Sequence, residues 1–153
     1  MAARSTRPCG TRSAMADGPA LAWQAALVAY LRADAGVSAL VGARVYDEPP
    51  SDALRPLVRL GPMIVTPLRS DARAAFQIDF GVEGHSRPTA GRVEAQRIAE
   101  ACRAALDERH AEIAVAGFRL AWVQFTTATT IRNADGRSYQ SNAGFVAALD
   151  VPV

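Results

Sequence analysis

The chain has 153 residues, half of them hydrophobic and a fifth charged, which fits one folded domain and excludes a disordered chain. Its net charge is +2, lysine is absent, and all 17 basic residues are arginine. Arg4, Arg7 and Arg12 precede Met15, and the other 14 arginines face 15 acids, so the body is close to neutral and a strongly basic nucleic-acid-binding domain is disfavoured.

Residues 1–16 read as a flexible leader, with Met15 a plausible functional start. The leader resembles a secretory signal or a transit peptide only superficially, because the apolar run at 20–31 has the spacing of an amphipathic helix. That run is also too short to span a membrane. Residues 17–153 read as a single domain. Asp17-Gly18-Pro19 opens a first helix, Trp23, Leu27, Tyr30 and Leu31 form its apolar face, and Gly36 is its expected stop. A short helical turn, Ser38–Val41, closes at Gly42. Arg44-Val45-Tyr46 reads as a short strand ended by Asp47-Glu48-Pro49-Pro50, and Leu57–Leu60 as a second. Residues 61–75 read as a brief continuation, Met63-Ile64-Val65, leading into a mobile charged loop.

Phe76, Ile78, Phe80 and Val82 alternate with polar residues or glycine, the pattern of a strand with one face buried. His85–Thr89 is the hinge into a second helix over 89–108, with Ile98, Ala101, Cys102 and Ala105 as its apolar stripe. Phe118–Ile131 reads as a long strand, and the phase slips between Trp122 and Val123, the mark of a bulge. Asn133-Ala134-Asp135-Gly136 is a turn signal, and Ser138–Val151 returns as the partner strand. The tip of this hairpin carries few large apolar groups, so the arm is expected to project beyond the core. The order of elements predicts an α+β fold: two helices packed on one face of a mostly antiparallel sheet, with a long C-terminal β-hairpin.

Chemistry for catalysis is sparse. There is no nucleophile elbow and no phosphate-binding glycine loop. His85 reads as a strand-end residue pointing away from Ser86, His110 as a helix-end cation, and Cys102 as a small buried hydrophobe. Asp47-Glu48 and Asp107-Glu108 read as solvated pairs. Two cysteines and two histidines give no zinc spacing, so neither cofactor nor metal is expected, and no enzyme. The interface candidates are Arg69, Asp71 and Arg73 in the middle loop and Arg132, Asn133, Asp135 and Arg137 at the hairpin tip, since arginine is favoured where surfaces meet.

The runs Leu27–Asp34 and Leu40–Asp47, then Arg55-Pro56-Leu57-Val58-Arg59-Leu60-Gly61, resemble the opening of the tail-completion, or tail-terminator, proteins of tailed phages, prophages and gene transfer agents. Asp79-Phe80-Gly81-Val82 into His85-Ser86-Arg87, and the helix through Glu94-Ala95, Ile98-Ala99 and Ala104-Ala105-Leu106, are similar to its later segments. The likeness spans about residues 20–151, and order and spacing carry it. It implies a structural virion protein, made in the bacterial cytoplasm. It implies a homohexameric ring capping the head-proximal end of the tail tube, with tube protein below and head-side connector above. Double-stranded DNA would pass through the lumen without being read, with no membrane partner. The alternatives are another head–tail joining or minor tail protein of similar fold, and a small α+β enzyme.

Overall fold

The computed structural model describes residues 17–69 and 74–152. Helix α1 spans Pro19–Ala33 and α2 spans Ala35–Val41. Strand β1 is Val45–Tyr46, β2 Leu57–Arg69 and β3 Ala74–His85. Helix α3 is Gly91–Leu106, followed by a 3-10 turn at His110–Glu112. Strands β4, Arg119–Arg132, and β5, Tyr139–Asp150, complete the chain. The five strands lie in the order β1-β2-β3-β5-β4, antiparallel except for β1 with β2. This is the expected α+β architecture, with α2 a full third helix.

The strand pleat sorts the side chains. Ile78, Phe80 and Val82 of β3 face the helices, and Ala143, Phe145, Ala147 and Leu149 of β5 share their core with Trp23, Leu27, Leu31, Ile98 and Cys102. Trp23 is fully buried and meets the Phe80 ring edge-on at 5.1 Å, and Phe80 stacks on Phe145 at 5.3 Å. The spacing Trp23–Leu27–Leu31 is therefore the side of α1 that seats on the sheet. Tyr30, at its margin, donates from its hydroxyl to the Ala105 carbonyl at 2.8 Å and ties α1 to α3. Helix α3 presses on Gly84: a Cβ there would stand 2.6 Å from both Ile98 Cγ2 and Ser141 Oγ.

Four expectations change. Gly36 does not stop the first helix. Asp34 ends α1 and caps α2, its carboxylate accepting from the Val37 N–H at 3.0 Å, and Gly36 lies inside α2. The expected continuation Met63-Ile64-Val65 does not give way to a loop: β2 runs on to Arg69 and pairs with β3 down to Ala74. Gly61-Pro62 falls where the β2–β3 register shifts, so it makes a bulge instead of ending the strand. Strand β4 stays in register from Trp122 to Val123, where a slip was expected, and slips instead between Leu120 and Trp122 and between Phe125 and Thr127. Finally, the C-terminal hairpin does not project, because β5 pairs with β3 from Ala75↔Asp150 to His85↔Gln140.

Candidate assembly surfaces

The seven candidate residues fall into two groups at opposite ends of the sheet. Arg69 ends β2 beside Ala74, at the end of the sheet where Ala75 pairs with Asp150. Arg132, Asn133, Asp135 and Arg137 lie at the other end, where His85 pairs with Gln140 and Arg132 with Tyr139. Asp71 and Arg73 lie outside the described residues.

Most of the described candidates already have work within the chain. Asp135 accepts from the N–H groups of Arg137 and Ser138 at 2.8 and 2.9 Å and from the Ser138 hydroxyl at 2.7 Å. Those bonds, led by the two backbone donors, hold its carboxyl down at about 2, against an ordinary 3.8. Ser138 is fully buried and also accepts from Asn133 and from the Arg55 guanidinium. Arg132 donates to the Tyr139 hydroxyl and lies over its ring, with Arg92 also within cation–π range of that ring. The Ser86 N–H then donates to the Tyr139 carbonyl, and the Ser86 hydroxyl accepts from the Tyr139 N–H, both at 2.9 Å. Arg69 and Arg137 remain, both exposed, with no side-chain partner among the described residues.

The Asp135 bonds have a pH consequence. A carboxylate whose folded pKa is lowered stabilises the fold above its unfolded pKa, and the contribution goes as pH falls through the folded value. Wild-type protein is therefore expected to lose more thermal stability between about pH 4 and pH 2 than Asp135→Asn does. Melting curves across that range check it, and parallel curves would refute it.

The residues considered for catalysis are placed apart. The His85 ring bonds to Glu83 at 3.0 Å on the helix-free face, while Ser86 points the other way and is buried. Burial holds the His85 imidazole below its ordinary pKa, against the pull of the Glu83 carboxylate. Cys102 is buried in the core, and desolvation raises its thiol to about 12. In a Cys9→Ser background, Cys102 is accordingly expected to resist a thiol reagent at pH 8 until the protein unfolds. Labelling of the native protein at the rate of a free thiol would contradict this placement. No helix among the described residues is long and apolar enough to cross a membrane.

The sheet margins were not singled out from the sequence, and each carries strand backbone with no strand partner on its outer side among the described residues. At one margin, β1 covers β2 only at Val58 and Arg59. At the other, the turn after α3 covers part of β4: the Glu108 N–H donates to the Val123 carbonyl at 2.9 Å, and the Phe125 N–H donates to Asp107 at 2.9 Å. Beyond those contacts neither margin has a strand partner among the described residues. Ile64 on β2 and Ile131 on β4 are 63% and 51% exposed.

Comparison with known proteins places this α+β chain among the structural proteins of tailed virions. It belongs to the family of tail completion protein gp17, whose model matches residues 25–149. It is also similar to a chain in a solved structure of the virion of a native gene transfer agent particle, with 30% identity and a TM-score of 0.74. That match covers 83% of this chain and 93% of the other. No curated protein matches it. The protein is thus a structural component of a phage-like tail, its place is in the virion, and it assembles with other virion proteins.

Proposed function

We propose that this chain closes the head-proximal end of the tail tube as a homohexameric ring and joins it to the head-side connector. Double-stranded DNA passes through the lumen. The observation that carries this reading is the tail-completion match over residues 25–149. The surfaces support it. Exposed arginines at opposite ends of one sheet, Arg69 and Arg137, give a subunit two distinct docking ends, one for the tube and one for the connector. A body with 14 arginines against 15 acids suits a lumen through which a polyanion slides. The chain works through assembly and not through bond-making chemistry. Residues 17–153 are its working domain and 1–16 an appendage.

Mass measurement by light scattering and negative-stain microscopy, with and without tube protein, tests the proposal. Six-fold rings, free or at tube ends, are expected; their absence in both settings would overturn it. Arg137→Ala is expected to leave the melting temperature within about 2 °C of wild type, as exposed surface substitutions do. The same variant should lower the yield of joined particles several-fold. An unchanged yield would remove Arg137 from the docking surface.

A further inference from the structure

We propose that neighbouring copies join by pairing the bare stretch of β4, residues 127–132, antiparallel with the bare stretch of β2, residues 63–69, of the next copy. The proposal rests on the ring reading and specifies how the ring closes.

The argument begins with which backbone groups point outward. Val58 donates its N–H to the Arg44 carbonyl, away from β3, so even-numbered residues face out at the start of β2. The shift between Leu60 and Met63 adds one residue and reverses that parity. Residues 63, 65, 67 and 69 then face out. Pro67 agrees, since a proline in the ladder must turn its missing N–H to the free side. On β4, Val123 and Phe125 face out toward Glu108 and Asp107, and the shift between Phe125 and Thr127 reverses parity there too. Ala128, Thr130 and Arg132 face out below it, as the inward Asn133 N–H to the Ser138 carbonyl requires. Among the described residues each margin is therefore covered over one half by the chain itself and open over the other. A row of this length, unpaired among the described residues and charged only at its end by Arg69 or Arg132, is what folded proteins normally screen.

One register uses both rows. Placing Ile131 opposite Ile64 sets Thr129 against Thr66 and Thr127 against Leu68. Antiparallel partners share a face, and here all six lie on the helix-free face, because Ile64 pairs with Asp79, and Ile131 reaches His85 through Gln140. The same register opposes Thr130 to Val65 with donors and acceptors matched, while Ala128 meets Pro67, which supplies a carbonyl to the ladder and no N–H. Thus the two exposed isoleucines cover each other, and a threonine pair sits beside them.

The geometry is that of a closed sheet. Ile131 sits at the height of His85 and Ile64 at that of Asp79, so each copy steps six residues along the strands. That step is about 20 Å, against about 19 Å for four strand spacings. The strands then tilt by about 45°, at the steep end of the range for closed sheets. With the β3–α3–β4 crossover right-handed, as parallel crossovers are, this stagger leans the way a right-twisted sheet coils with its helices outside. The polar face bearing Gln77, Asp79 and Glu83 lines the lumen.

The test uses cysteine pairs in a Cys9→Ser background. Ile64 and Ile131 would form a narrow pair, close enough for a disulfide. Tailed particles and isolated protein carrying Ile64→Cys with Ile131→Cys are oxidised and run without reductant. A ladder climbing from dimer to the full ring is expected, with no ladder from either single variant. Thr130→Pro removes an outward N–H only, so it should melt near wild type and reduce ring formation at least ten-fold. Ile131→Pro removes an inward one and should melt well below. Rings that form normally with Thr130→Pro and yield no ladder would overturn the edge pairing while leaving the ring standing. A species that stops at dimer and cross-links through Ile131→Cys alone would also overturn it, by joining β4 to β4. Absence of rings from unmodified protein would instead overturn the ring reading.

Discussion

Trp23→Ala is expected to cost about 3–5 kcal/mol of folding stability, the range for emptying a fully buried tryptophan site. Trp23 has no exposed surface and lies among Leu27, Phe80 and the sheet core, so neighbouring side chains cannot relax into the void without leaving their own contacts. Against a typical total of about 5–15 kcal/mol, this is a large share. At this chain length the melting temperature should fall by roughly 6–20 °C. Trp23→Phe should cost much less. It keeps an aromatic ring against Phe80, and the indole N–H it removes has no hydrogen-bond partner among the described residues. Denaturant titrations of both variants decide the matter. A Trp23→Ala protein within about 1 kcal/mol of wild type would mean that α1 is not seated as described.

Gly84→Ala is the second large effect, and it comes from crowding. The added methyl would stand 2.6 Å from Ile98 Cγ2 and from Ser141 Oγ. Ile98 sits on α3 and Ser141 on the neighbouring strand, so relief requires the helix to lift or the sheet to bend. Overpacking of this kind costs about 1–3 kcal/mol. The diagnostic is a double-mutant cycle. Ile98→Ala alone leaves a cavity and costs about 2–5 kcal/mol. Combined with Gly84→Ala, the new methyl occupies part of that space. The pair should therefore cost less than the sum by about 0.5–3 kcal/mol. Simple additivity in equilibrium unfolding would show that α3 does not rest on Gly84.

Strand β3 was legible because one of its faces is buried and the other is polar: Phe76, Ile78, Phe80 and Val82 record the pleat directly. Helix α3 was legible for the same reason, with Ile98, Cys102 and Ala105 on one stripe. The end of β2, beyond Val65, was not. Gly61, Pro62 and Pro67 punctuate a strand that has a neighbour on each side, but on this part of β2 only β3 is present among the described residues. Whether a proline breaks a strand there depends on the strand's place in the sheet, which no local pattern contains. The Asp34 junction was missed because a glycine two residues on looked like the better stop, and only the carboxylate reaching back to Val37 reveals the cap.

The candidate surfaces follow the same division. Arginine and turn chemistry marked the hairpin tip from the residues alone. Which of those residues are already occupied depends on Ser138, Tyr139 and Arg55, and Arg55 is brought in from 83 residues away. The open strand margins could not be read at all without the order β1-β2-β3-β5-β4, because an edge is a property of topology.

The paired bulges carry a consequence for variation in this chain. The register shift in β2 lies between Leu60 and Met63, opposite Val82 and Phe80; that in β4 lies between Phe125 and Thr127, opposite Phe145 and Gly144. Through β3 and β5 these fall at one height. Each extra residue rotates everything beyond it by half a pleat, so it decides which side chains look inward for the rest of the strand. Substitutions among Thr127, Thr129 and Thr66 change only the texture of that surface. Loss of the extra residue Thr126 would only straighten the strand and leave Ile131 on its face, but loss of a single paired residue beyond it, such as Thr129, would carry Ile131 to the opposite side. Relatives of this chain should therefore drift freely in the letters of these segments while keeping their lengths fixed.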